Sequence, residues 1–377
     1  MSDRPAGAPP AGAPPTGVPP ARVRVLVVDD SAVMRRLVAG ALRRDPTVDV
    51  IGNAADGRSA LGQVVELLPD VVTMDVEMPE LDGISAVRAL RRAGLRVPVI
   101  MLSTLTERGA DATLDALAAG ASDYVTKPGT SRSLNESLFR LARDLLPRVH
   151  ALVAGSAAAD LAAPADPGVP DVVAREIRAV VVGSSTGGPE ALSRIFGALE
   201  APVAVPVLVV QHMPPVFTRQ LAARLDRGGP TRVHEAVHGT VLEAGHAYIA
   251  PGDRHLSVAR HADRVYAVVD DGAPVHFYRP SVDVLFRSAA EVYGAGLHAV
   301  VLTGMGTDGA DGAAAVVAAG GTVTVQDAES AVVWGMPGAV VTAGHAHRVS
   351  SLDSIARALA VLGQPVTSDA TSWEVTG

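Results

Sequence analysis

The 377-residue sequence contains no cysteine, no apolar run long enough for a membrane helix, and no excess of basic residues. The missing cysteine removes disulfides, zinc-thiolate sites, iron-sulfur clusters and thiol nucleophiles together. Any covalent catalysis must then use an oxygen, nitrogen or carboxylate nucleophile, and any metal must have hard ligands. Without about 18 uninterrupted apolar residues, no transmembrane span or direct membrane insertion is expected, and the reading is a cytoplasmic protein. Lys and Arg number 32 against 40 Asp and Glu, a net charge of -8. That balance argues against nucleic acid as the main ligand, because phosphate contacts need clustered basic side chains.

What is present is enough for real cores: 48% of residues are hydrophobic and 19% charged, and the length predicts about two to three domains of ~150 residues. Residues 1–22 are mostly Pro, Ala and Gly and read as a flexible tail, not a signal peptide. Apolar periodicity fades again over 146–176, where Ala, Pro, Gly and Asp accumulate as in an interdomain linker. The expected division is a first domain over 23–145, a second over 177–363, and a flexible tail over 364–377.

In the first domain, β-branched runs at Val23–Val28, Val48–Asn53, Val71–Met74, Val97–Leu102 and Asp123–Val125 alternate with helical patterns such as 31–44 and 57–67. Five buried strands with intervening helices predict a parallel α/β sheet of the flavodoxin-like kind. The second half repeats the grammar at Ala179–Val182, Val205–Val210, Ala299–Thr303 and Thr322–Val325, with short strands and turns over Arg232–Val269. It predicts a doubly wound, mostly parallel α/β domain with a small antiparallel insertion.

Open parallel sheets build sites at the carboxyl ends of their strands. Asp29 and Asp30 end the first strand and Asp75 the third, so three carboxylates should converge and require a hard cation such as Mg2+. Ser103 ends the fourth strand and Lys127 the fifth, a hydroxyl and an ammonium suited to phosphoryl oxygens. Asp30 alone also reads as a helix N-cap. The ordered set VLVVDDS, TMDVEMPELDG, MLST and YVTKPG resembles a response-regulator receiver domain. That resemblance implies phosphorylation of Asp75 by a histidine kinase, Mg2+ on Asp30, Asp75 and the Glu77 carbonyl, and support from Asp29 through water. It further implies a switch hydroxyl at Ser103, a switch aromatic at Tyr124, phosphate pairing by Lys127, and a cis Lys127–Pro128 bond.

In the second half, AVVVGSSTGGPEAL is a strand, a tight turn and a helix start, with Gly183, Ser185 and Gly187 in the G-x-S-x-G spacing that exposes a nucleophilic serine. A phosphate-binding turn explains this segment equally well. The next strand, VPVLVVQHMPP, ends at His212, and HAVVLTGMGTDG leads to Asp308. Side by side, these strands would put Ser185, His212 and Asp308 on one carboxyl edge as nucleophile, base and orienting acid. Of 11 histidines, His212 is preferred over His234, His238, His246, His255 and His276 because it ends an apolar strand. A rival pattern is Gly304, Gly306 and Gly309 in G-x-G-x-x-G spacing with Asp327 beyond, a dinucleotide signature. Asp308 inside that turn disfavours a pyrophosphate, and the rival leaves Ser185 and His212 without a task.

The segments GSSTGGPEAL, QHMPPVFTRQLAARL, GHAYIAPGDRHL, RPSVDVLFRSAA, VLTGMGTDGADG and VVWGMPGAV together resemble the catalytic domain of chemotaxis protein-glutamate methylesterases. The resemblance implies a phosphorylation-activated hydrolase of glutamate γ-methyl esters on chemoreceptors that also deamidates receptor glutamines. Ser185, His212 and Asp308 would be its triad, with backbone N–H groups around Thr186 and Met305 as oxyanion or positioning contributors and no cofactor at the hydrolase site. Ser184, where the family usually has Ala, adds a second hydroxyl, but the spacing favours Ser185. Arg279-Pro280-Ser281 and Asp253-Arg254-His255 carry no assigned catalytic role. An unphosphorylated receiver packed over the Ser185 crevice is the expected form of regulation. Hydrolysis of a small-molecule ester and a phosphorylation-switched binding protein are the competing readings.

Overall fold

The computed structural model describes residues 22–129, 133–158 and 176–362. The first domain runs β1 (Val23–Val28), α1 (Ala32–Leu42), β2 (Val48–Ala54), α2 (Gly57–Leu67), β3 (Val71–Asp75), α3 (Gly83–Arg92), β4 (Val99–Ser103), α4 (Glu107–Ala118), β5 (Asp123–Thr126) and α5 (Leu134–Ala158). Its strands pair in parallel in the order β2-β1-β3-β4-β5. The first four helices each begin at a side-chain cap: Ser31, Asp56, Asp82 and Thr106 accept from the backbone N–H three residues on, satisfying one of the free N-terminal donors. The cap of α1 is Ser31, so Asp30 is left for other work.

α5 overturns the expected boundary at 145. Leu141, Leu145, Val149 and Leu152 are all buried, a stripe at helical spacing that carries the helix through Pro147 to Ala158. The Ala-rich composition that reads as linker is here the continuation of that helix. The remainder of the expected linker, residues 159–175, and the expected tails at 1–21 and 364–377 lie outside the described residues.

The second domain runs β6 (Ala179–Ser184), α6 (Gly188–Gly197), β7 (Val207–Gln211), α7 (Pro215–Gly228), β8 (Arg232–Glu235), β9 (His246–Ile249), β10 (His255–His261) and β11 (Arg264–Asp270). It continues with α8 (Val282–Tyr293), β12 (Leu297–Val301), α9 (Ala310–Ala318), β13 (Thr322–Gln326), α10 (Gly335–Thr342), β14 (Arg348–Ser350) and α11 (Leu352–Val361). The main sheet is parallel, ordered β14-β13-β12-β6-β7-β9-β8. The expected antiparallel insertion reduces to the β10–β11 hairpin. β8 and β9 instead extend the parallel sheet, because β9 pairs with β7 and buries its Ala247, Tyr248 and Ile249. No helix among the described residues is long and apolar enough to cross a membrane.

The two domains share an apolar seam. The Tyr124 ring of β5 stacks on Phe217 of α7, centroids 4.6 Å apart. Met305 and Val333 pack into the cluster formed by Leu141, Leu145 and Leu152 of α5. At its rim, Arg224 of α7 donates to Asp115 of α4 at 2.6 Å, an exposed pair worth about 0–1 kcal/mol.

Helix α8 lies against the main sheet through Phe286, which is fully buried. Replacing Phe286 with Ala is expected to cost about 3–5 kcal/mol, read as a lower midpoint for the second domain in urea unfolding.

Candidate active site and phosphorylation site

The strand order decides which catalytic candidates meet. β6 lies between β12 and β7, and Ser184 is in register with Gln211. Ser185 and His212 therefore leave neighbouring strands at the same edge, and Asp308 arrives from the turn after β12. The turn after Ser185 needs Gly187 at φ 78, a left-handed conformation that favours glycine. At Gly188 a Cβ would come 2.0 Å from Gln211 Oε1. The two glycines let the chain turn sharply beneath Ser185 and start α6.

Of the two adjacent serines, Ser184 has its hydroxyl engaged. It is fully buried and its Oγ donates to Gln211 Oε1 at 2.7 Å. Gln211 Nε2 in turn donates to the Ser185 carbonyl at 2.9 Å, so Gln211 fixes the backbone on which Ser185 sits.

His212 Nε2 lies 2.8 Å from Asp308 Oδ2, and its ring stacks on Tyr278 with centroids 3.9 Å apart and planes within 8°. The buried Nδ1 has no hydrogen-bond partner among the described residues. The structure thus joins His212 to Asp308 through Nε2 and leaves Nδ1 unbonded among the described residues. Burial pushes the Tyr278 hydroxyl pKa up, so the stacked ring stays neutral.

Asp308 is fully buried. Oδ1 accepts from Ser281 Oγ at 2.8 Å and Asp283 N at 3.0 Å, and Oδ2 from Val282 N at 2.7 Å. These donors form the N-terminus of α8, whose dipole favours a negative charge. Burial alone would raise the Asp308 pKa. The hydrogen bond and charge of His212, joined by the N–H groups of Val282 and Asp283, outweigh it and hold the carboxyl below its ordinary range. Tyr278, Gln211 and Ser281 were not singled out from sequence. Only Ser281 carried a signal, its place in the Arg279-Pro280-Ser281 motif.

The dinucleotide pattern is accounted for otherwise. Gly309 N and Gly312 N, the donors a pyrophosphate would need, both donate to the buried Asp283 Oδ1, at 2.9 and 2.6 Å. Asp327 caps its own turn by accepting from Ser330 N at 2.9 Å. Gly304 passes so close to Ser185 that a Cβ there would lie 2.8 Å from the serine Cβ, which sets the Met305 backbone beside Ser185. Thr186 is buried and its Oγ1 donates to Asp123 Oδ2 of the first domain at 2.6 Å.

In the first domain, single ligand oxygens of Asp29, Asp30 and Asp75 fall within 4.8 Å of one another. Lys127, the only lysine of the sequence, places Nζ 2.9 Å from Asp29 Oδ2 and 2.7 Å from Asp75 Oδ2. Burial raises the Asp75 pKa, opposed by Lys127, while Asp29 adds to the rise. Burial works against the Lys127 ammonium, but its bonds to Asp75 and Asp29 prevail and raise its pKa. Ser103 Oγ donates to Gly109 O at 3.0 Å. The Glu77 side chain is exposed, 3.9 Å from Arg108. The cis peptide bond is Arg279–Pro280, not the expected Lys127–Pro128. Lys127 reaches both carboxylates without one, its N–H anchored on Ser103 O at 2.7 Å.

The profile of the family described as CheB methylesterase matches residues 180–359, and that of the response regulator receiver domain matches 25–139. A protein-glutamate methylesterase/protein-glutamine glutaminase of Nocardioides sp. is 52% identical over 344 residues, covering 88% of this chain and 92% of its own. The chain belongs to the CheB methylesterase family. A relative of the same description from Trichodesmium erythraeum is 39% identical over 89% of this chain and 97% of its own. The solved CheB methylesterase catalytic domain of Thermotoga maritima is 42% identical, covering 50% of this chain and all of its own, with a TM-score of 0.48.

In this CheB-family chain, Ser281→Ala should raise the Asp308 pKa, since one donor to the carboxylate is lost. Stability from Asp308 is present above its unfolded pKa and lost as pH falls through the folded one. The acidic limb of the activity profile and acid unfolding should therefore both begin at higher pH than in wild type.

Proposed function

We propose that this protein is a phosphorylation-activated hydrolase acting on the cytoplasmic helices of chemoreceptors. It removes methyl groups from glutamate γ-methyl esters, releasing methanol, and deamidates selected glutamines to glutamate. The observation that carries this reading is the His212 ring, bonded to a buried Asp308 at one nitrogen and free at the other, on the strand edge beside Ser185.

In the first step Ser185 Oγ attacks the ester carbonyl carbon while its proton passes to His212 Nδ1. The new imidazolium is stabilised by Asp308, and the oxyanion takes backbone N–H donors from the neighbourhood of Thr186 and Met305. Collapse of the tetrahedral intermediate breaks the carbon–oxygen bond, and His212 returns its proton to the leaving methoxide as methanol. Water then attacks the acyl-enzyme with the same imidazole as base, restoring Ser185 and leaving a glutamate carboxylate. With glutamine the leaving group is ammonia, and the remaining steps are identical.

Asp75 is the phosphoryl acceptor, with a histidine kinase as donor. Asp30, Asp75 and the Glu77 carbonyl would hold Mg2+, with Asp29 in support. An all-oxygen donor set with two of its three carboxylates buried fits a hard cation. Bound there, the ion would neutralise charge on the phosphoryl oxygens. Lys127 would pair with the phosphate, and Ser103 and Tyr124 would respond to it.

The receiver restrains the hydrolase. The crevice at His212 is walled on one side by Tyr278 and Phe277 and on the other by Arg140, Arg148 and Tyr124 of the first domain. Tyr124, the expected switch aromatic, is the ring clamped on Phe217. A phosphate-driven rearrangement around Ser103 and Tyr124 would loosen that seam and admit a receptor helix.

Ser185→Ala is expected to lower methanol release from methylated receptors by about a thousand-fold or more while the protein stays folded. Near-wild-type release would exclude Ser185, and turnover of soluble esters but not receptors would favour a small-molecule esterase. A chain beginning near residue 172 should outpace the unphosphorylated full-length enzyme, and equal rates would defeat restraint by the receiver.

A further inference from the structure

Beside the triad, on the far side of the α8 N-terminus, lies a second group of polar side chains that the hydrolysis does not use. Asp283 is fully buried. Its Oδ1 is satisfied by the N–H groups of Gly309 and Gly312. Its Oδ2 is buried without any hydrogen-bond partner among the described residues. His276 Nδ1 stands 3.2 Å from that oxygen, yet at an angle that makes no hydrogen bond. Ligand atoms of His276, Asp283 and Asp311 all fall within 4.8 Å of one another.

A buried carboxylate oxygen that accepts no hydrogen bond and faces only the imidazole of His276 demands an explanation, because leaving such an acceptor without a donor is costly. A nitrogen and an oxygen about 3 Å apart without a shared proton are placed as two ligands of one ion. Ligands at ~2.0–2.1 Å from a tetrahedral centre lie roughly 3.3 Å from each other. We propose that His276, Asp283 and Asp311 form a binding site for a zinc-like divalent cation, separate from the receiver's carboxylate cluster. One imidazole nitrogen among two carboxylates selects against Mg2+ and Ca2+, which prefer all-oxygen sets, and a fourth position stays open to water. Among the described residues Asp311 pairs with Arg287 at 3.2 Å, with both side chains about half exposed, an ion pair weak enough to let Asp311 turn onto the ion.

The site ties three pieces of chain together: the segment carrying Tyr278, the first turn of α8 and the first turn of α9. Its role is to pin the segment whose tyrosine backs His212. His276 and Phe277 both adopt positive φ, 49° and 70°, so this segment is strained and gains from an anchor.

Calorimetric titration of Zn2+ into the full-length protein, with Mg2+ in excess to hold the receiver cluster, is expected to show one equivalent bound. His276→Gln and Asp311→Asn should each weaken that binding by about ten-fold or more, with far-ultraviolet circular dichroism unchanged. Zn2+ should raise the Tm of wild type and not of His276→Gln. The two substitutions lie on separate elements, so a folding failure in one leaves the other to decide. Absence of zinc uptake by wild type, or undiminished affinity in the folded variants, overturns the site.

Discussion

The strand edge that carries Ser185 and His212 is organised around one buried negative charge. Asp308 has no exposed surface, and a carboxylate in that position is tolerated only because the first turn of α8 offers it three donors and His212 a fourth. That requirement places the start of α8 beneath the turn after β12. It brings Tyr278, three residues before Ser281, over the imidazole. It also buries Asp283 in the same turn, where the N-terminus of α9 satisfies only one of its two carboxylate oxygens, Oδ1. Two helix N-termini and two buried aspartates thus interlock, and the His212–Asp308 geometry is a property of that joint as much as of the strand ends.

The same edge is where the domains meet. Thr186, next to Ser185, bonds to Asp123 at the start of β5, and Met305 packs into the α5 cluster. Asp123 and Lys127 bracket a single short strand. Events at the Asp75 carboxylate and events at the Ser185 turn are therefore separated by one β-strand, with Tyr124 between them held by an aromatic contact rather than a charge pair. Apolar stacking keeps the seam shut with little dependence on ionic strength, whereas the Arg224–Asp115 pair at the rim contributes little once screened.

Much of this was legible from residue order because parallel sheets deliver strand-end side chains to one crevice. Asp29, Asp30, Asp75, Ser185 and His212 all announce themselves by ending apolar runs. Asp308 was harder, since its glycine-rich turn also fits a nucleotide cradle, and the structure separates the two by occupying the Gly309 and Gly312 donors with Asp283. Gln211, Tyr278 and Ser281 carried weak signals or none, because their roles arise from side chains meeting across elements far apart in sequence. The α5 extension was concealed by composition: an Ala-rich stretch containing Pro147 looks like linker until its four apolar positions find a partner surface. The inclusion of β8 and β9 in the main sheet was hidden for a similar reason, as strands of four residues do not declare which edge they will join.

The lysine content bears on how this molecule presents itself to its surroundings. The only side-chain ammonium in the sequence is sequestered between Asp29 and Asp75, so the permanent positive charge that side chains display outward is guanidinium. Guanidinium is planar, always charged and weakly hydrated. The exterior therefore offers no lysine for acylation or cross-linking, and a reagent selective for the lysine amine would address the acidic pocket itself.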